Sequence, residues 1–214
     1  VAILFAAALL SYMFAYTVRF TEAAVLTRFG KANDGAVKRD AGLYFKLPYP
    51  IDNVTKYDTR TRVLPVKLET QQTADNRQII VEAFCTWRVA DPLKFFQRFS
   101  NAGERAEDHY IAAETALRSS LRTAMGLASR YRMNELFSEK VGGSKIPELE
   151  AAALAAFSSP DVKTGLSLND YGIEATGVGV SRVVLPESTT SAVFEAMKTR
   201  RERFAKETES QGQA

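Results

Sequence analysis

The chain has 214 residues, 46% hydrophobic and 25% charged, with a net charge of +3. That is enough apolar material for one or two domains with real cores, and too mild a basic excess for a dedicated nucleic-acid binder. One cysteine, Cys85, excludes an internal disulfide framework, and together with the single histidine it cannot supply the four ligands of a structural zinc site.

The run VAILFAAALLSYMFAYTV, from Val1 to Val18, contains no charge. As a helix it would reach about 27 Å, just short of a hydrocarbon core of about 30 Å, so a few residues upstream would complete a span. A secretory signal peptide and a buried core helix are the competing readings. No A-x-A site with a polar stretch after it closes the run, and Arg19 follows at once, which favours a membrane anchor over residues 1–18. Tyr12 and Tyr16, near its exit, fit an interfacial aromatic belt. Charge does not orient the anchor.

Ala23 to Phe29 reads as a short strand closed by Gly30, and Lys31 to Gly42 as a polar loop. Next comes GLYFKLPYPI, Gly42 to Ile51, six large apolar or aromatic side chains broken by two prolines. Proline fixes φ and lacks an amide donor, so this piece belongs at an edge or in a turn. Two readings stand. Leu43, Phe45 and Leu47 plug a local core beneath Tyr44 and Tyr49, or the cluster is exposed and meets a membrane or a partner. Tyr57 to Leu68 predicts an edge strand because of Pro65. Gln78 to Val89 alternates strictly, with Ile79, Val81, Ala83, Cys85, Trp87 and Val89 on one face, and predicts a half-buried strand with an inert thiol.

Asp91-Pro92 predicts a helix start, since aspartate caps free amides and proline at the first position loses no hydrogen bond. A short helix should run to Phe99. Ala113, Leu117, Leu121, Ala124, Met125 and Ala128 mark an amphipathic helix over Ala106 to Ala128, and a weaker one runs from Ile146 to Phe157. Tyr171 to Leu185 has strand composition, but Gly177 and Gly179 sit where alternation breaks, predicting a bulge near Gly177. Ser188 to Lys206 predicts a helix with a narrow stripe of Val193, Ala196, Met197 and Phe204 beside Arg200 and Arg201, too polar to bury in its own domain.

Catalytic patterns are missing. His109, among Glu107, Asp108 and Tyr110, is expected as a solvated first-turn residue, and without a second histidine the usual Ser or Cys nucleophile has no partner. Gly142-Gly143-Ser144-Lys145 lacks the spacing of a phosphate loop, and Gly177 and Gly179 lie inside a strand rather than between strand and helix. No catalytic, cofactor-binding or metal-binding residue is therefore expected, and the protein is expected not to be an enzyme.

The order of pieces carries a resemblance. Val25-Leu26-Thr27-Arg28-Phe29-Gly30-Lys31, Gly42-Leu43-Tyr44-Phe45-Lys46-Leu47-Pro48, Tyr57-Asp58-Thr59-Arg60, Thr73-Ala74-Asp75, Trp87-Arg88-Val89-Ala90-Asp91-Pro92, Ala116 to Arg122, Tyr171-Gly172-Ile173-Glu174 and Leu185-Pro186 occur in the order seen in the SPFH (band 7, stomatin/prohibitin) superfamily. The chain most resembles its HflC branch, membrane-bound protease modulators. The resemblance implies an α+β fold: a transmembrane helix at 1–18, a membrane-proximal SPFH subdomain at 19–70, a second SPFH subdomain at 71–186, and the start of a long charged coiled-coil helix at 187–214.

Several further expectations follow from that resemblance. Tyr12, Tyr16, Tyr44, Phe45, Leu47, Tyr49 and Ile51 would contact the membrane, and Val193, Met197, Arg200, Arg201 and Phe204 would lie on an oligomerisation helix. The chain would be a non-enzymatic subunit of a large hetero-oligomeric ring of many copies, built with an HflK-like paralogue on membrane lipids around an FtsH-like AAA+ membrane protease. It would sit in a bacterial inner (plasma) membrane, single-pass, with the SPFH domain on the periplasmic side, and would bind no nucleic acid. The alternatives are a stomatin- or prohibitin-like membrane-microdomain scaffold without a dedicated protease, and a membrane-anchored hydrolase.

Overall fold

A computed structural model describes residues 14–137, 143–160 and 167–184, together with 198, 199 and 202. Its strands are all antiparallel and form three sheets: a ribbon of β1 (Ala15–Val18) and β4 (Gly42–Phe45); a small sheet ordered β3 (Val37–Lys38), β2 (Glu22–Arg28), β5 (Asp52–Asp58); and a larger sheet ordered β6 (Arg62–Gln72), β7 (Gln78–Val89), β8 (Ile173–Val184). Between β7 and β8 the described residues form the helices α1 (Pro92–Phe99), α2 (Ala106–Met125), α3 (Met133–Leu136) and α4 (Ile146–Ser158). The chain is thus α+β.

Strand β1 corrects the C-terminal end of the expected helical anchor, because the last four residues of the uncharged run pair with β4 instead. Tyr16, Thr17 and Val18 are good strand formers, and Tyr16 and Val18 are buried against Ala24. Tyr12 and residues 1–13 lie outside the described residues. Among the described residues no helix is long and apolar enough to cross a membrane. Of the expected C-terminal helix only Lys198, Thr199 and Glu202 are described, and Val193, Met197, Arg200, Arg201 and Phe204 lie outside the described residues.

Strand β2 is covered on both sides, which explains its run of small side chains. Ala24 meets Tyr16 and Val18, while Val25 joins the main core with Tyr57. The alternation of Gln78 to Val89 appears as expected: Ile79, Val81, Ala83, Cys85, Trp87 and Val89 are all buried beneath the helices. From α2 come Ala113, Leu117, Leu121, Ala124 and Met125, and from α4 Leu149, Ala153 and Phe157. Each fully buried Leu or Phe here contributes about 1.5–3 kcal/mol relative to exposure. Pro65 sits on β6, an edge of the large sheet, where a missing donor costs no interior ladder bond. That strand begins at Arg62, however, because Asp58, Thr59 and Arg60 turn a corner after β5, and it runs across the subdomain boundary expected at residue 70.

Strand β8 carries two register shifts, one at Ala175/Gly177 as expected and one at Val180/Arg182. At the second, the freed Val180 amide donates to the Glu150 carboxylate of α4 at 2.7 Å. The Asp91 cap also forms, its carboxylate accepting from the Leu93 and Lys94 amides.

His109 is not solvated. It is fully buried, with Nε2 2.9 Å from the Gly103 carbonyl and Nδ1 against the Tyr57 hydroxyl. A carbonyl can only accept, so Nε2 holds the proton and Nδ1 accepts from Tyr57. His109 and Tyr110 at the start of α2 are buried because they seat on β5: the Asp58 amide donates to the Tyr110 hydroxyl at 2.7 Å, and Tyr57 meets Phe95 and Tyr110 edge-on. These aromatics weld the small sheet to the helices.

Burial pushes the Cys85 thiol up to about 12, and thiolate is the reactive form. At neutral pH the folded protein is expected to resist maleimide labelling and to label fully in urea. Rapid labelling without denaturant would show that the central strand opens.

Candidate functional site

The β1–β4 ribbon and the β2–β5 pair end at one tip, and backbone hydrogen bonds lace them together. The Lys46 amide donates to the Phe14 carbonyl at 2.8 Å, and the Phe29 amide to the Ile51 carbonyl at 2.8 Å. Pro48 to Ile51 closes as a turn, with the Ile51 amide donating to the Pro48 carbonyl.

Beneath this tip lies Asp52, 1% exposed. Its carboxylate accepts from Arg28 Nε at 2.9 Å and Nη2 at 3.3 Å, and from the Leu47 amide at 2.9 Å. One side chain therefore ties β2, β5 and the proline turn together. The Arg28 guanidinium first, then the Leu47 amide, hold this carboxyl below the ordinary carboxylate range. Because the folded value is depressed, the stabilisation is present above the unfolded value of about 3.9 and is lost as pH falls through the lower folded value. Asp52→Asn is expected to cost about 1.5–3 kcal/mol at neutral pH. It should also flatten the loss of stability below about pH 4 seen in the unmodified chain, as read by urea midpoints across that range. Parallel pH curves would remove Asp52 as the clasp.

Above the clasp the side chains point outward. Phe45 is 77% exposed, Tyr49 75% and Leu47 40%, so the expected cluster is surface rather than a plug over a local core. Ile51 is half-buried. Tyr44 lies on the other face of β4, stacked on Tyr16 at 5.7 Å with its hydroxyl donating to the Asp40 carbonyl. Tyr16 is itself buried and props the ribbon from within.

Sequence reasoning missed Phe29, which is 72% exposed beside Ile51. Arg28 and Lys31 exchange both backbone hydrogen bonds across a two-residue loop, Phe29-Gly30, and both loop residues have positive φ, 49° and 78°. A bulky aromatic there is strained by about 1–2 kcal/mol, a cost that suggests a task at the tip. The only signal was an aromatic directly before a strand-closing glycine. Exposed Lys31 and half-buried Lys46 border the cluster. Among the described residues no group of histidine, cysteine and carboxylates could hold a metal.

The SPFH domain / Band 7 family profile matches residues 16–214. Protein HflC of Haemophilus influenzae is 26% identical over 192 residues, 88% of this chain and 60% of that protein. Protein HflC of Buchnera aphidicola subsp. Schizaphis graminum is 24% identical, covering 92% of this chain and 64% of its own length. The modulator of FtsH protease HflC of Escherichia coli K12 is 23% identical, covering 100% and 71%. The chain spans about 60–64% of the length of the first two.

Proposed function

Because the chain belongs to the SPFH domain / Band 7 family, we propose that it is a non-enzymatic membrane scaffold that regulates a membrane protease. One observation carries the membrane part. The uncharged run reaches the folded domain at Phe14, whose carbonyl is bonded to Lys46 beside exposed Phe45. Whatever holds that run therefore holds the aromatic tip beside it. Aromatic rings and lysines suit the headgroup boundary, where one end of a side chain is apolar and the other wet.

The protease part rests on the relatives, one of which is named as a modulator of FtsH protease. In this reading many copies stand side by side with an HflK-like paralogue. They enclose a patch of the bacterial inner membrane and limit the approach of substrates to an FtsH-like AAA+ protease. The anchor crosses once and the SPFH domain lies on the periplasmic side, with Phe29, Phe45, Leu47 and Tyr49 at the interface and the region from residue 187 forming the wall.

The test is mild-detergent extraction of the full-length protein from its own membrane, followed by sizing and mass spectrometry. A very large particle containing a paralogue and an AAA+ protease is the expected result. A large ring without the protease would leave a microdomain scaffold and remove the regulatory role. A small monodisperse species would overturn both.

A further inference from the structure

Arg28 has a second neighbour besides Asp52. It faces Lys31 across the Phe29-Gly30 loop, each amide donating to the other's carbonyl at 2.9 and 3.0 Å, and it faces Asp52 across the β2–β5 ladder. Residues directly opposite one another in antiparallel strands project on the same face, with Cβ atoms about 4.5–5.5 Å apart. Lys31, Arg28 and Asp52 therefore stand in one row beside Phe29. Lys46, at the end of β4, is close enough for its charge to act on the Asp52 carboxylate. Three cations thus gather around one carboxylate.

That carboxylate is already engaged. It is buried and accepts from Arg28 Nε and Nη2 and from the Leu47 amide, while the Arg28 side chain stays 60% exposed with Nη1 to spare. Among the described residues neither Lys31 nor Lys46 forms an ion pair. Glu22, Asp40 and Asp58, the other acids of these two sheets whose side chains are described, lie at the far ends of β2, β4 and β5. Like charges set opposite one another are unfavourable, so the cluster holds an uncompensated positive excess at the tip.

We propose that Lys31, Arg28 and Lys46 bind the phosphate of an anionic phospholipid headgroup, so that the tip selects acidic lipid. This rests on the membrane reading above and names the lipid it meets. The phosphate belongs to a lipid because these cations border exposed Phe29, Phe45 and Tyr49, and because the Lys46 amide also holds the Phe14 carbonyl, where the uncharged run arrives. A soluble anion would gain nothing from that apolar rim. Asp52 fixes the guanidinium plane, which suits a phosphate fork, and the lysines act as point charges whose stems lie along apolar surface.

The experiment uses the full-length chain in bilayers of phosphatidylcholine and phosphatidylglycerol, with a fluorophore on Leu47→Cys. Buried Cys85 stays unlabelled. Lipid with brominated acyl chains quenches the fluorophore, and the bromine is placed first on phosphatidylglycerol and then, at equal mole fraction, on phosphatidylcholine. Brominated phosphatidylglycerol should quench more strongly. Lys31→Gln and Lys46→Gln should each lower this preference about fivefold, the scale of one lysine's attraction to an anionic surface, and arginine at both positions should keep it. Lys56→Gln, exposed on β5 but outside the row, should change it little. An equal loss from Lys56→Gln would mean diffuse attraction and overturn the site. Equal quenching by the two lipids would overturn it too and leave the membrane contact standing. Quenching by neither would overturn the membrane contact and, with it, this site. A preference erased by inorganic phosphate but not by sodium chloride of equal ionic strength would assign the cluster to free phosphate and overturn the lipid.

Discussion

Replacing Gly172 by alanine is expected to destabilise the domain by about 2–5 kcal/mol, the sum of a left-handed backbone penalty and overpacking. Gly172 has φ of +71°, and an added Cβ would stand 2.2 Å from the Asp91 carbonyl oxygen and 2.7 Å from the Phe95 amide nitrogen. Both neighbours are backbone at the start of α1 and cannot swing aside. The Gly172 carbonyl also accepts from the Ala90 and Asp91 amides at 3.0 and 3.1 Å, so any shift loosens the cap of that helix. α1 carries Phe95, which packs on Tyr57, Trp87 and Tyr110, and the damage would reach the hub that joins the sheets. Urea denaturation of Gly172→Ala and of Gly35→Ala, where a Cβ meets nothing within 4 Å, makes the comparison. Equal losses would show that the close approach at Gly172 does not exist.

The second large effect is on the tip. Changing Phe45 and Tyr49 together to aspartate should leave the detergent-solubilised protein folded, with stability within about 0.5 kcal/mol, because both side chains are exposed and touch no core. In membranes the same variant loses two aromatic anchors, each worth about 1.5–3 kcal/mol when fully inserted, and places carboxylates where rings had been. Lipid-borne quenchers should then no longer reach a fluorophore at position 47, and the large particle should fall apart or shrink. If the variant unfolds in detergent, the cluster belongs to a local core. If quenching and particle size are unchanged, the tip does not touch lipid.

Much of this was legible in the sequence wherever a local rule acts alone. The alternation of Gln78 to Val89, the Asp91-Pro92 cap and the bulge near Gly177 each follow from the period of a strand or the chemistry of a helix end, and the structure shows all three. The stretch from Gly42 to Ile51 was legible only as an edge or turn, with a local plug and an exposed cluster both open, and the structure decided for exposed Phe45, Leu47 and Tyr49.

What failed did so because a distant partner decided the outcome. His109 looked solvated from its polar neighbours, but the Tyr57 hydroxyl, 52 residues away in sequence, buries it. Ala15–Val18 looked like the end of a helix, but β4 offered those amides a ladder. Phe29 was invisible as a tip residue until Ile51 arrived beside it, and nothing in the sequence alone announced that Asp52 would clasp Arg28 and the Leu47 amide. The sequence by itself determined the apolar run, the periods, the caps and the family resemblance, all of which depend on neighbours within a few residues. Only the tertiary structure decided which side chains converge at the tip, the clasp and the hub, because contacts between residues far apart in sequence are set by sheet pairing and packing rather than by local preference.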